Sequence, residues 1–127
     1  MATATSTKKN TTDKEIDPDT DLDINEVCLV GKLSAPVEIR ELPSGDRAAT
    51  WRLVVRRRAR GGRVGPAVDT IDCVSFHKGL IGRATRWEAG AWLRITGELH
   101  RRFWQTPTGP RSRYQVEAHS AKLEPRP

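Results

Sequence analysis

Residues 93–104 read LRITGELHRRFW, and TPTGP follows at 106–110. Leu93, Ile95, Gly97 and Leu99 alternate with Arg94, Thr96, Glu98 and His100. A period of two marks a strand buried on one face. The strand runs into Arg101, Arg102, Phe103 and Trp104, just before a Pro/Gly turn. Exposed aromatics beside guanidiniums suit a stacked base and its phosphates. The plainer alternative is that both rings pack under the hairpin. If the alternation persists, Phe103 shares the inner face of Leu99 and is a core residue. Trp104 then points outward as a platform, with Arg101, Arg102, Arg111 and Arg113 around it.

Further strands lie on either side. VCLVGKL (27–33) is apolar, with Gly31 expected at a bulge or bend. Pro36 breaks it, and VEIREL (37–42) continues as a second piece. PSGD (43–46) is a type I turn. Residues 48–57 place Trp51, Leu53 and Val55 on one face and Arg52, Val54 and Arg56 on the other, so Trp51 is a core residue. DTIDCVSFH (69–77) is the next strand. The period then changes: Leu80, Ile81, Ala84 and Trp87 predict one short helix within 78–88, stopped by Ala89-Gly90. YQVEAHSAKL (114–123) is the last strand.

The predicted fold class is therefore mainly β. One helix between the third and fourth of five strands is the layout of the OB-fold, a Greek-key barrel that binds oligonucleotides on one face. The two hairpin loops, RRRARGGRVGP (56–66) and RRFWQTPTGPRSR (101–113), are both basic. The first holds five arginines: Arg56, Arg57, Arg58, Arg60 and Arg63. Its glycines predict a long mobile loop, although charge runs are often only solvated.

Charge is unevenly spread. The chain carries +6, but residues 1–24 carry −3 and residues 25–127 carry +9. The basic part suits a polyanion, whether nucleic acid, membrane surface or acidic protein. Residues 1–24 contain almost nothing apolar and are expected to be a disordered acidic arm. The start lacks an apolar signal region and no apolar run is long enough for a membrane helix. Cys28 and Cys73 both fall in apolar strand patterns and are expected as buried free thiols, which suits a reducing cytoplasm. The three histidines stand apart in sequence at 77, 100 and 119, and no metal or cofactor is expected. No nucleophile–base constellation, phosphate-cradling glycine loop or carboxylate pair points to an enzyme.

NEVCLVGKL, LPSGDRAATWRLVV, DTIDCVSFHKGL and GAWLRITGELHRRFWQTPTGPRSRYQVEA together resemble the bacterial single-stranded DNA-binding protein family over residues 25–123 or so. The resemblance implies a homotetramer or dimer of OB-folds that wraps single-stranded DNA without sequence preference. It implies a role in replication, repair or recombination, no enzyme activity, and a cytoplasmic, nucleoid-associated location. The family's stacking aromatics are matched at Phe76 and Trp104, with Lys78 nearby. They are unmatched at Ala59 and Thr70. The chain closes on KLEPRP rather than an acidic tip, so recruitment of partner proteins through that tip is not expected. The resemblance thus implies a specialised member or paralogue. An RNA-binding or primosome-type OB module and a protein-binding adaptor are the alternatives.

Overall fold

The structure is a computed structural model that describes residues 22–58 and 67–125. The remainder of the N-terminal arm, Ala59 with Arg60 and Arg63, and the last two residues lie outside the described residues.

Six strands and one helix follow in order: β1 (Val27–Leu33), β2 (Glu38–Glu41), β3 (Arg47–Arg56), β4 (Val68–Ser75), α1 (Lys78–Ala84), β5 (Trp92–Thr106) and β6 (Gly109–Leu123). The strands run β1-β5-β6-β4-β3-β2, and β1 pairs back onto β3. That last pairing closes a five-stranded barrel. β1 meets β3 at Lys32↔Val54 and Leu33↔Leu53, and β2 meets the same strand from Glu38↔Thr50 onward. β1 and β2 thus act as one strand bent at Pro36, as the sequence predicts. Proline supplies no N–H to the ladder there.

The inner faces match the alternation. Leu33, Trp51, Leu53, Cys73, Leu93, Ile95, Val116 and Ala118 are all buried. α1 caps the barrel with Leu80, Ile81 and Ala84. Trp87 lies beyond the helix end, is buried, and meets Trp51 edge-on at 6.0 Å between ring centroids. β4 and β6 pair in parallel over a short stretch, Cys73↔Val116 and Val74↔Glu117. There the fully buried Ser75 hydroxyl donates to the Ala118 carbonyl at 2.9 Å. A buried hydroxyl needs such a partner, and this one ties the two strands at the closure.

Three expectations are corrected. Cys28 is exposed, because it takes the outward position on β1; only Cys73 is buried. Burial pushes the Cys73 thiol up to about 12, with the Asp72 charge adding to the effect. Residues 101–113 are not a loop. β5 and β6 remain paired to Thr106↔Gly109, so the chain turns at Pro107-Thr108, with Gly109 at φ 124°. Proline presets the turn and glycine tolerates the positive φ that closes it. The bulge expected at Gly31 lies instead at Thr96/Gly97. Gly31 is needed for a different reason: a Cβ there would strike the Val54 carbonyl.

Gly97 is the tighter case, since a Cβ would land on the Glu117 carbonyl oxygen, which is backbone and cannot swing away. Gly97→Ala is expected to cost about 3 kcal/mol, the upper end of overpacking penalties. Thermal denaturation should show a midpoint lower by about 10–20 °C. An unchanged midpoint would mean that β5 and β6 separate easily at the bulge.

Candidate nucleic-acid interface

Strands β5 and β6 are each fifteen residues long and project beyond the barrel. Directly paired residues on adjacent strands share a face. One face of the projecting hairpin therefore carries His100 with Gln115, Arg102 with Arg113, and Trp104 with Arg111. The other carries Leu99 with Val116, Arg101 with Tyr114, and Phe103 with Ser112.

The first face forms one wall of a groove of about 700 Å³, large enough for a nucleobase. Arg102, Phe103, Trp104, Arg113 and Gln115 line it from the hairpin, so Phe103 reaches the groove although its Cα pairing sets it on the other face. Arg40 of β2, Arg52 of β3, Asp72 of β4 and Phe76 are among the residues of the opposite wall. Trp104 is 43% and Phe76 39% exposed, so both rings are partly open to solvent. The Arg113 guanidinium lies 5.6 Å from the Trp104 ring centre. A cation over an indole is held by the ring quadrupole, and the pair presets both groups.

Asp72 and Arg52 were not picked out from the sequence as site residues. Asp72 faces Arg52 across the β3–β4 ladder and accepts from its Nε at 3.2 Å. Arg113 approaches the other Asp72 oxygen at 3.6 Å. The carboxylate thus holds two guanidiniums of the groove wall. A single aspartate inside an alternating strand reads as solvated surface. Only the register, which sets it between two arginines from different strands, reveals it.

The other candidates are distributed differently. Arg101 lies on the far face, over Phe103 at 5.0 Å and Tyr114 at 5.3 Å. Phe103 is 67% exposed and does not join the core. The alternation does carry it to the Leu99 side, but beyond Gly97 that side has left the barrel. Arg111 neighbours Trp104 without lining the groove. Lys78 lines a second depression with Phe76, Arg47 and Ile81. Arg56 ends β3, and Arg58 is exposed beyond it. Arg57 is engaged by Asp69, with Nη2 to Oδ1 at 2.8 Å and Nε contacting both oxygens at 3.1 Å. Its N–H also donates to the Ala67 carbonyl, so Arg57 closes the root of the β3–β4 connection. The Arg57 hydrogen bonds, more than its charge, hold the Asp69 carboxyl below the usual range. Thr70, where a stacking ring is unmatched, is exposed on β4.

The histidines do not stand apart in space. His100 Nε2 donates to Glu98 at 2.9 Å and His119 Nε2 lies 3.3 Å from the other Glu98 oxygen. The His77 and His119 rings meet edge-on at 5.6 Å. Among the described residues no group of three or more His, Cys, Asp or Glu is arranged to hold a metal ion. No helix among them is long and apolar enough to cross a membrane.

Residues 24–125 match the model of the single-strand binding protein family. The chain belongs to that family. Among curated relatives, single-stranded DNA-binding protein 4 of Streptococcus agalactiae is 32% identical over 69% of this chain and 64% of its own length. Single-stranded DNA-binding protein 2 of Streptococcus pyogenes is 32% identical over 69% of this chain and 54% of its own. The chain thus spans between about half and two thirds of the length of these relatives. The Plasmodium falciparum SSB in complex with single-stranded DNA superposes with a TM-score of 0.69 at 21% identity. It covers 80% of this chain and 93% of that one, which shows the shared OB-fold.

Since Phe103 fills no cavity, Phe103→Ala is expected to leave far-UV circular dichroism intact and to change unfolding free energy by under about 1 kcal/mol. Trp51→Ala should cost about 3–5 kcal/mol. Urea titration of both variants compares them directly, and equal losses would return Phe103 to the core.

Proposed function

We propose that this protein binds single-stranded DNA without sequence preference and has no enzyme activity. The observation that carries this reading is the groove itself, where Phe76 and Trp104 stand as partly exposed rings among Arg40, Arg52, Arg102 and Arg113. Every base has a π-face, so rings on a basic track accept any sequence. Guanidiniums meet the phosphates, while no rigid array of donors selects one base edge. Lys78, Arg56, Arg58 and Arg111 extend the basic surface outside the groove, and Arg60 and Arg63 extend it in sequence. Duties in replication, repair or recombination, at the nucleoid in the cytoplasm, follow from this binding.

The open edge of β1 supports a homo-oligomer, a tetramer or dimer. On its β3 side, pairing begins only at Lys32, so Val27 to Gly31 keep one edge unpaired among the described residues. An unpaired strand edge is a template for a second chain. Sedimentation equilibrium is expected to give a multiple of 14.2 kDa. A monomer at micromolar concentration rejects this part of the reading.

The mechanism is tested by fluorescence titration with oligo-dT. Trp104→Ala should weaken binding roughly ten- to a hundredfold, because stacking contributes about 1–3 kcal/mol per base. If each subunit neutralises about five phosphates, log K should fall against log salt with a slope of roughly −3.5. A slope near zero sinks the electrostatic mechanism.

Asp72 gives an opposite expectation. A strand entering the groove must share or displace Arg52 and Arg113 from their carboxylate. Asp72→Asn should therefore tighten binding several-fold at low salt and steepen the salt slope. Weaker binding by this variant would mean that Asp72 positions the two arginines rather than competing for them.

A further inference from the structure

The alternation that places Arg102 and Trp104 on the groove side of β5 places His100 and Glu98 on that same side, one and two steps nearer the barrel. His100 stands directly across from the groove residue Gln115, and Glu98 across from Glu117. His119 is the bulged residue of β6: Ser120 pairs with Thr96 and Ala118 with Gly97, which leaves His119 between them without a Cα partner on β5. The bulge brings its ring to Glu98 at 3.3 Å. His77 immediately follows the groove residue Phe76 and packs edge-on against His119. All three histidines of the chain thus converge near the barrel end of the groove, His100 and His119 beside the carboxylates of Glu98 and Glu117 and His77 against the His119 ring. The groups facing them are Glu98 from β5 and Glu117 from β6. Lys78 and Arg102 flank the cluster in sequence, and Asn25, ahead of β1, is neutral and bonded to the Leu99 backbone.

We infer that His77, His100 and His119 form a second phosphate site for the bound strand, one that becomes attractive when the imidazoles take up protons. The inference rests on the proposed binding of single-stranded DNA. With neutral imidazoles the cluster carries the charge of Glu98 and Glu117 alone and repels a phosphate leaving the groove. Among side chains, histidine is the one whose ordinary proton uptake falls in mild acid. Protonation of all three turns a local charge of −2 into +1. Hydrogen bonds from His100 and then His119 hold the Glu98 carboxyl below the usual range. In the protonated state the rings can donate to Glu98 and to a phosphate together, because an imidazolium has two N–H groups.

The test is the affinity for labelled oligo-dT at constant ionic strength, at about pH 7.5 and about pH 5.5. Wild type is expected to bind roughly tenfold more tightly in the acid buffer. The double variant His100→Gln, His119→Gln should lose most of that gain. Glu98→Gln should tighten binding already at about pH 7.5. All three substitutions lie at exposed or half-exposed positions, and circular dichroism checks the folding of both variants. A wild-type affinity independent of pH, or the same gain in the double variant, overturns the inference while leaving single-strand binding in place. Absence of binding in both buffers overturns the binding reading, and the inference with it.

Discussion

The upper half of this molecule depends on how closely Gly97 approaches the Glu117 carbonyl. Below that contact β5 is an ordinary barrel strand, with Leu93 and Ile95 in the core. Above it Val116, opposite Leu99, still belongs to the core, and beyond that pair the hairpin leaves the barrel. The extra residue that β6 spends at the contact has a second effect. Ala121 and Ala118, an odd number of positions apart, both turn inward. A strict alternation would expose one of them. A bulge increases local twist, and here it turns the strand ends so that Arg102, Trp104 and Arg113 overhang β3 and β4 rather than continuing the barrel wall.

The groove is built from groups that satisfy one another while it is empty. Arg52 and Arg113 lean on Asp72, Arg113 also covers Trp104, and Arg102 donates weakly to Gln115 at 3.4 Å. These are exposed contacts and add little to fold stability. Their effect is on conformational freedom. A long side chain held near its working position loses less entropy when a ligand arrives. Asp72 thus does two opposed things: it orders the guanidiniums and it competes for them.

Much of this was legible in the sequence, and the limits have physical causes. The alternation in 93–99 located β5, the pattern about Trp51 located its core position, and the change of period at Lys78 located the helix. Parity failed at Phe103 because an alternating pattern specifies which side of a strand a residue takes, not whether anything covers that side. Cys28 failed for the related reason that a short apolar strand does not declare which alternate residues face in. The hairpin was shortened because Pro107 and Gly109 read as a broad loop, whereas two-residue turns tolerate both beside paired strands. The histidine cluster was hidden for another reason: its members come from three segments and meet only through a bulge that leaves no mark in the hydrophobic pattern.

The same bulge lies between the groove and the histidine cluster. Residue 119 stands out of the ladder between Ala118 and Ser120, and its ring lies 3.3 Å from Glu98. One backbone irregularity therefore accompanies two things: the overhang that shapes the groove and the inward turn of two alanines that seals the core beneath it. Neither can be altered alone. A substitution that straightens the strand at Gly97 would remove the overhang and turn one of the two alanines outward together. The tolerance of this position is therefore set by the shape of the groove as well as by the crowding of one Cβ against one carbonyl.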